Sequence, residues 1–240
     1  MNLFLDAWHY LSTGSNWSGP TGIGKRITEH LWYSLLAVGL SVAVALPIGL
    51  VVGHTRRGSA LIVGFANAMR ALPTLGLLTF VVLLLGLGLF PPILALLTVG
   101  IPPLLAGAYA GIANVDPAVV DASRAMGMTE RQVLFRVELP NALPVLLTGL
   151  RAATLQVVAT ATIAAYVNLG GLGRYIFDGI GLYKYDRVLV GAILVAALAL
   201  ALDAVLAFAV WLSAPGAGRL RRTRPPVAAA AQPISRPVAH

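Results

Sequence analysis

Five apolar stretches, at approximately 31–53, 61–89, 92–113, 142–168 and 187–213, are each long enough to cross a lipid bilayer as a helix. A hydrocarbon core of about 30 Å takes about 20 predominantly apolar residues per helix. In lipid the backbone must satisfy its own polar groups, and a helix does so within one segment. The expected fold class is therefore an all-α integral membrane protein with about five transmembrane helices and room for a sixth. Composition agrees: 58% hydrophobic and 11% charged residues, with a mean hydropathy of +0.83, against roughly 25% charged residues in a soluble average. The second stretch is long and holds Arg70 and Pro73, which predicts a kink or a lead-in helix before the span proper.

The net charge of +8 sits in short loops and the C-terminal tail rather than on an amphipathic element, so it reads as membrane orientation and not as a nucleic-acid surface. With the N-terminus outside, Arg56, Arg57, Arg124, Arg131, Arg136 and the tail arginines Arg219, Arg221, Arg222, Arg224 and Arg236 fall in the cytoplasm. Only Lys25, Arg26, Arg174, Lys184 and Arg187 fall outside. That asymmetry predicts an N-out, C-in topology with residues 116–140 in the cytoplasm. Residues 1–22 are then an extracytoplasmic segment and 23–213 the transmembrane domain. Residues 214–240 form a Pro-, Ala- and Arg-rich tail, expected to be disordered and to lie on anionic membrane lipid. Met1–Tyr10 lacks a basic n-region and carries Asp6, so the first span is expected to act as an uncleaved targeting signal. The absence of cysteine excludes disulfides and thiolate metal sites.

The polar loop from Asp116 to Pro140 carries explicit local signals. Asp116 can cap a helix that starts at Pro117, where the missing N–H costs nothing, and Gly127 suits the left-handed position past its end, which predicts a helix over 117–126. Thr129 and Gln132 have capping-box spacing for a second helix, with Pro140 as its stop. On the first helix Ala118, Asp121, Ala122 and Ala125 share one face. That face is flat, made of small residues and one carboxylate, and lets a partner protein approach the backbone. The second helix carries Arg131, Arg136 and Glu138 around Val133, Leu134 and Val137. On these residues alone the loop is either a docking surface or an element folded on itself. DNA binding by the helix pair is disfavoured because both ends are tied to spans.

Asp121-Ala122-Ser123, then Gly127, then Val137-Glu138-Leu139-Pro140 resembles the EAA motif of ABC-importer permeases, with Asp121 in place of the usual Glu and Ser123 in place of the second Ala. The resemblance implies a type I importer bundle whose cytoplasmic coupling helix docks on a separate ATPase. Asp121, Ala122, Ser123, Ala125, Met126, Gly127 and Arg131 would then pass nucleotide-driven motion to the spans. Over roughly residues 30–213, Arg70-Ala71-Leu72-Pro73-Thr74-Leu75, Val115-Asp116-Pro117-Ala118, Ala125-Met126-Gly127-Met128-Thr129 and Gly170-Gly171-Leu172-Gly173 look like permeases for glycine betaine, choline and carnitine. Methionine-type and sulfonate-type permeases share parts of these motifs. The resemblance further implies two ATPase subunits, a second permease copy or paralogue and an extracytoplasmic substrate-binding protein. ATP and Mg would be held by the ATPase, with no cofactor on this chain, which would lie in a bacterial inner or plasma membrane as a multi-pass subunit.

Several polar residues fall inside the apolar stretches. Arg70 either snorkels from a span end or serves a gating or substrate-path role, and Pro73 and Thr74 beside it could line a path. Gln156, Thr160 and Thr162 add polarity to the fourth stretch, where such residues bond a neighbouring helix or line a pathway. Asp203 is an intramembrane carboxylate, either a functional group or one paired with a basic residue or polar backbone. Gly170, Gly171 and Gly173 are read as a tight turn and hinge. Gly49/Gly53 and Gly107/Gly111 have the spacing of close helix packing, within one bundle or at a dimer seam. Gly19, Gly24 and Lys25 imitate a phosphate loop, but Arg26 stands where Ser or Thr is required, so the chain is not expected to hydrolyse ATP. His9, His30, His54 and His240 show no metal-ligand spacing. An ion-coupled secondary transporter would need more intramembrane ionisable groups than Arg70 and Asp203.

Overall fold

The computed structural model describes residues 2–213, so the tail reading at 214–240 lies outside the described residues. The helices are α1 (Leu3–Ser12), α2 (Ile23–Thr55), α3 (Ser59–Ala71), α4 (Thr74–Leu85), α5 (Phe90–Ala113), α6 (Pro117–Ala125), α7 (Glu130–Val133), α8 (Leu139–Thr160), α9 (Gly173–Gly181) and α10 (Tyr185–Ser213). No strand occurs among the described residues. Four helical segments are long and apolar enough to cross a membrane, namely α2, α5, the run Glu130–Val167 and α10; α3 and α4 meet at a bend of 80° and pass the same test only when taken together. The break falls where the sequence places Arg70 and Pro73. Leu72 takes an extended conformation (φ −71°, ψ 126°), as the ring of a following proline requires.

α5 is the centre of the bundle, with α2 on one side and α8 on the other. In lipid there is little hydrophobic drive between helices, so association depends on close packing, which small residues permit. Gly49 and Gly53 of α2 supply one seam: a Cβ on either would lie 2.5 Å from Ala108 Cβ or 2.7 Å from Ile112 Cβ of α5. Gly107 and Gly149 supply the other, where a Cβ on Gly107 would lie 2.8 Å from the Gly149 Cα. Gly111 packs on Ala142 one turn further along, at 3.1 Å from its carbonyl by the same measure. Both glycine pairs therefore pack within the bundle.

The two ends of the bundle are clasped differently. At one end Glu29 of α2 accepts from the Gly171 N–H at 2.8 Å and from Arg26 at 2.9 Å. The Tyr175 hydroxyl of α9 donates to the Thr21 carbonyl at 3.3 Å. At the other end His54 of α2 meets Glu138 at 2.5 Å. Residues 114–138 therefore lie at the end of α2 opposite to residues 168–184.

α1 is an amphipathic helix that the residue pattern did not reveal. Ala7 is buried with Ile23, Leu172, Tyr175 and Val190, and Tyr10 stands edge-on to Tyr175 at 6.1 Å with Arg187 over its ring at 5.6 Å. Its other face exposes Phe4 and Trp8, the arrangement of a helix lying in a membrane interface.

One expectation is corrected. Pro140 does not stop the second loop helix: α7 runs through a π-helical turn, Leu134–Glu138, directly into α8. The wider turn, closed by Leu139 N–H on the Leu134 carbonyl, leads into Pro140 in the first turn of α8, where its missing N–H is tolerated. Asn141 Nδ2 donates to the Val137 carbonyl one turn back, at 2.7 Å. The loop's second helix and the fourth span are thus one continuous rod.

Replacing Gly149 with Val places a Cβ 2.9 Å from the Gly107 Cα and from the Pro103 carbonyl, backbone atoms that cannot yield; overpacking of this kind costs about 1–3 kcal/mol. Gly149→Val is expected to lower the thermal unfolding midpoint in detergent by several degrees. Gly64→Ala, where nothing lies within 4 Å, should leave it unchanged or raise it.

Candidate functional site

Helix capping builds the loop as its residues dictate. The Asp116 carboxylate accepts from the Ala118 N–H at 2.9 Å, and α6 ends at Ala125, with Met126 as cap and Gly127 at φ 84°. The Thr129 hydroxyl accepts from the Gln132 N–H and the Gln132 side chain from the Thr129 N–H, a complete capping box. Val120 and Ser123 turn inward, Val120 joining Leu50, Ile112 and Val133 in one apolar cluster. Asp121, Ala122, Ala125, Met126, Gly127 and Arg131 are exposed. Ser123 differs from its neighbours in the motif: it is buried, and its hydroxyl donates to the Val119 carbonyl at 2.8 Å, so it seats α6 on the bundle rather than facing outward.

A chain of charges ties this surface to the spans. Arg124 lies 3.5 Å from Asp121 and makes a two-pronged contact with Glu130, both distances 3.0 Å. The Glu130 hydrogen bonds hold the Arg124 guanidinium above its ordinary pKa. Glu130 is 3.1 Å from His54 Nε2, whose other ring nitrogen meets Glu138 at 2.5 Å. The outer pair is solvent-exposed and contributes little to stability by itself. The inner pair is different, because the Glu138 side chain is only 5% exposed. A cavity of about 290 Å³ between the end of α2 and α6 is lined by His54, Arg56, Asp121, Arg124 and Glu138.

A second polar region lies at the α3–α4 break. Arg70, Thr74, Gln156 and Thr160 line one open-sided cavity of about 450 Å³, together with Thr98 of α5. Residues from four helices, separate in sequence, thus meet on one face of the bundle. Pro73 lies at the break itself. Thr162 stands apart in the 3-10 stretch Ala161–Val167, with its carbonyl against Gly173.

The glycines of the 170–173 turn are positions of close approach. A Cβ on Gly170 would collide with the Glu29 carboxylate and one on Gly173 with the Thr162 carbonyl, while Gly171 has φ 88°. Burial pushes the Tyr175 phenol of the adjoining α9 well above its ordinary pKa.

Three functional contacts were not legible in the residue pattern. His54 has no metal-ligand spacing in the sequence, and Thr98 carries no local signal. Arg151, inside the fourth stretch, makes a two-pronged contact with Asp203 at 2.5 and 2.7 Å, joining α8 to α10. The partners of His54 and Arg151 lie 84 and 52 residues away, beyond the reach of any local signal.

A bundle of this apolarity, with a folded loop at one end continuous with a span and a polar cavity part-way along it, is the membrane-spanning subunit of a transporter. Residues 45–210 match the binding-protein-dependent transport system inner membrane component family, and the chain belongs to that family. It is 38% identical over 179 residues to the glycine betaine/carnitine/choline transport system permease protein OpuCB of Bacillus subtilis (strain 168), covering 75% of this chain and 82% of that protein. It is 40% identical over 181 residues to the choline transport system permease protein OpuBB of the same organism, covering 75% and 83%. The fold resembles a chain of the MetNI methionine ABC transporter in an inward-facing conformation, with a TM-score of 0.71 and 20% identity over 80% of this chain and 96% of that one. The protein is thus a multi-pass inner-membrane permease subunit of an ABC importer, and not itself an enzyme. Its family works with an ATPase and a substrate-binding protein.

His54→Leu leaves the buried Glu138 carboxylate without its imidazole partner and is expected to cost about 1.5–3 kcal/mol, the range of hydrogen bonds to charged groups. In a double-mutant cycle followed by denaturation in detergent, His54→Leu with Glu138→Leu should cost less than the sum of the single changes. Additive losses would show the pair to be energetically silent.

Proposed function

We propose that this chain translocates quaternary-amine osmoprotectants such as glycine betaine, choline, carnitine or proline betaine, as one half of a permease pair driven by two ATPase subunits. The observation that carries this reading is the 38–40% identity, over three quarters of the chain, to permeases named for those solutes. The 450 Å³ cavity is of a size suited to a small solute, within the roughly 300–1,000 Å³ of small-ligand pockets.

The cavity lined by Arg70, Thr74, Gln156 and Thr160 is open along its side, and a second copy or a paralogue closes it to enclose the path. Pro73, at the break, sets the bend that exposes those groups. The N-terminus lies outside and residues 114–138 face the cytoplasm, where the positive-inside rule puts Arg56, Arg57, Arg124, Arg131 and Arg136. There the exposed face of Asp121, Ala122, Ala125 and Met126, with Gly127 and Arg131, docks on an ATPase, which holds ATP and Mg. A push on α6 reaches α8 without slack, because α7 and α8 form one rod, and reaches α2 through Arg124, Glu130 and His54. An extracytoplasmic binding protein delivers the solute at the opposite end, where Gly170, Gly171 and Gly173 form the turn that hinges against Glu29.

Mild capture of this chain should bring down an ATPase subunit, and the complex in lipid should hydrolyse ATP faster when loaded binding protein is added. Failure of the capture overturns the docking role. Gly127→Val forces a β-branched residue to φ 84°, at a cost of roughly 1–2 kcal/mol or more. That variant is expected to insert normally and lose most transport; wild-type uptake would count against coupling through α6.

A further inference from the structure

We propose that the cavity at the α3–α4 break is a carboxylate-binding subsite in which Arg70 takes the anionic end of the solute. This permease then favours quaternary amines that carry a carboxylate, such as glycine betaine or carnitine, over choline, which carries none. The inference rests on the osmoprotectant reading above and narrows its substrate class.

Arg70 occupies the last turn of α3. Its side chain makes no ion pair with any of the chain's nine carboxylates, all of which lie among the described residues. Five of those carboxylates are held by other arginines: Arg151 holds Asp203, Arg26 holds Glu29, Arg174 holds Asp178, and Arg124 holds Asp121 and Glu130. The negative end of α3 favours a cation in that last turn, but it supplies no carboxylate and leaves the guanidinium fork open. Arg70 is exposed on the open side of the bundle; an uncompensated guanidinium at membrane depth costs a few kcal/mol, and its fork matches a carboxylate geometrically.

The position suits a solute in transit. Thr98 opposite lies about 12 Å from the Phe90 end of α5 and about 22 Å from its other end, at 1.5 Å per residue, so the cavity is part-way across. α4 begins at Thr74, itself a lining residue, and no side chain caps that helix start. Its free N–H groups and positive dipole end add to the field that Arg70 sets up, as at other broken membrane helices. The remaining lining is neutral: Thr98, Gln156 and Thr160 offer hydroxyl and amide groups. No carboxylate and no aromatic ring lines the cavity. A quaternary ammonium is recognised by aromatic faces or by negative charge, so this chain's side of the path matches the anionic end of a betaine and offers nothing to the cationic end. A purely cationic solute meets only repulsion there.

The test uses the whole transporter in proteoliposomes, with uptake of glycine betaine and of choline measured separately at solute concentrations that saturate the binding protein. In the wild type, betaine should be transported faster per loaded binding protein than choline. Arg70→Gln should lower betaine uptake by about tenfold or more, the effect of losing a charge-assisted hydrogen bond, and leave choline uptake unchanged or raised. Arg70→Lys, which keeps the charge, should retain most betaine uptake, and it decides the matter if Arg70→Gln fails to assemble. Equal loss of both solutes in Arg70→Gln, or an unchanged ratio, overturns the subsite and leaves the osmoprotectant reading standing. Loss of betaine uptake in Arg70→Lys as complete as in Arg70→Gln also overturns it. A wild-type complex that carries neither solute overturns the osmoprotectant reading and the subsite with it.

Discussion

Everything in this bundle hangs on how closely α5 is approached by α2 and α8. Gly49 and Gly53 on one side, and Gly107 facing Gly149 on the other, bring backbones to distances that a single methyl group would forbid. Lipid tails offer a helix surface the same apolar environment that another helix does, so helices in a bilayer gain from contact only where packing is tight. These glycines create that tightness. They also make the three helices one unit, and the polar groups of α5 and α8 can meet Arg70 across a cavity only because that unit places them.

Against this packed centre, charge is used sparingly and at defined places. Arg151 and Asp203 neutralise each other between α8 and α10, a pairing that makes both tolerable among apolar helices. Glu29 clasps the glycine turn at one end, and His54 with Glu138 clasps the loop at the other. Arg70 is the exception. Its environment is polar but holds no counter-charge, in contrast to Arg151, which is paired with Asp203.

The loop and the spans were legible to different depths. Capping is a local rule, read from residues three or four apart, and Asp116, Gly127, Thr129 and Gln132 all take the roles their order implies. The kink at Pro73 is equally local. Pro140 does not end the helix because a proline's effect depends on where it falls: it follows a π-helical turn at the start of α8, and Pro47, Pro102, Pro103 and Pro144 are likewise carried inside helices of this bundle. α1 went unread since its apolar face is short and interrupted; what orders it is Tyr175 and Val190, far along the chain.

Apolar length, small-residue spacing and the loop motif were therefore present in the order of residues, because each depends on neighbours within a few turns or on a contiguous run. The choice among roles was not. Whether Gly49 and Gly107 serve a bundle or a dimer seam, whether Ser123 faces out or in, which cation answers Asp203, and whether Arg70, Thr98, Gln156 and Thr160 share one space are all questions of which helix lies beside which. Only the folded bundle answers them, because those contacts join positions tens of residues apart and nothing in a local stretch encodes the partner.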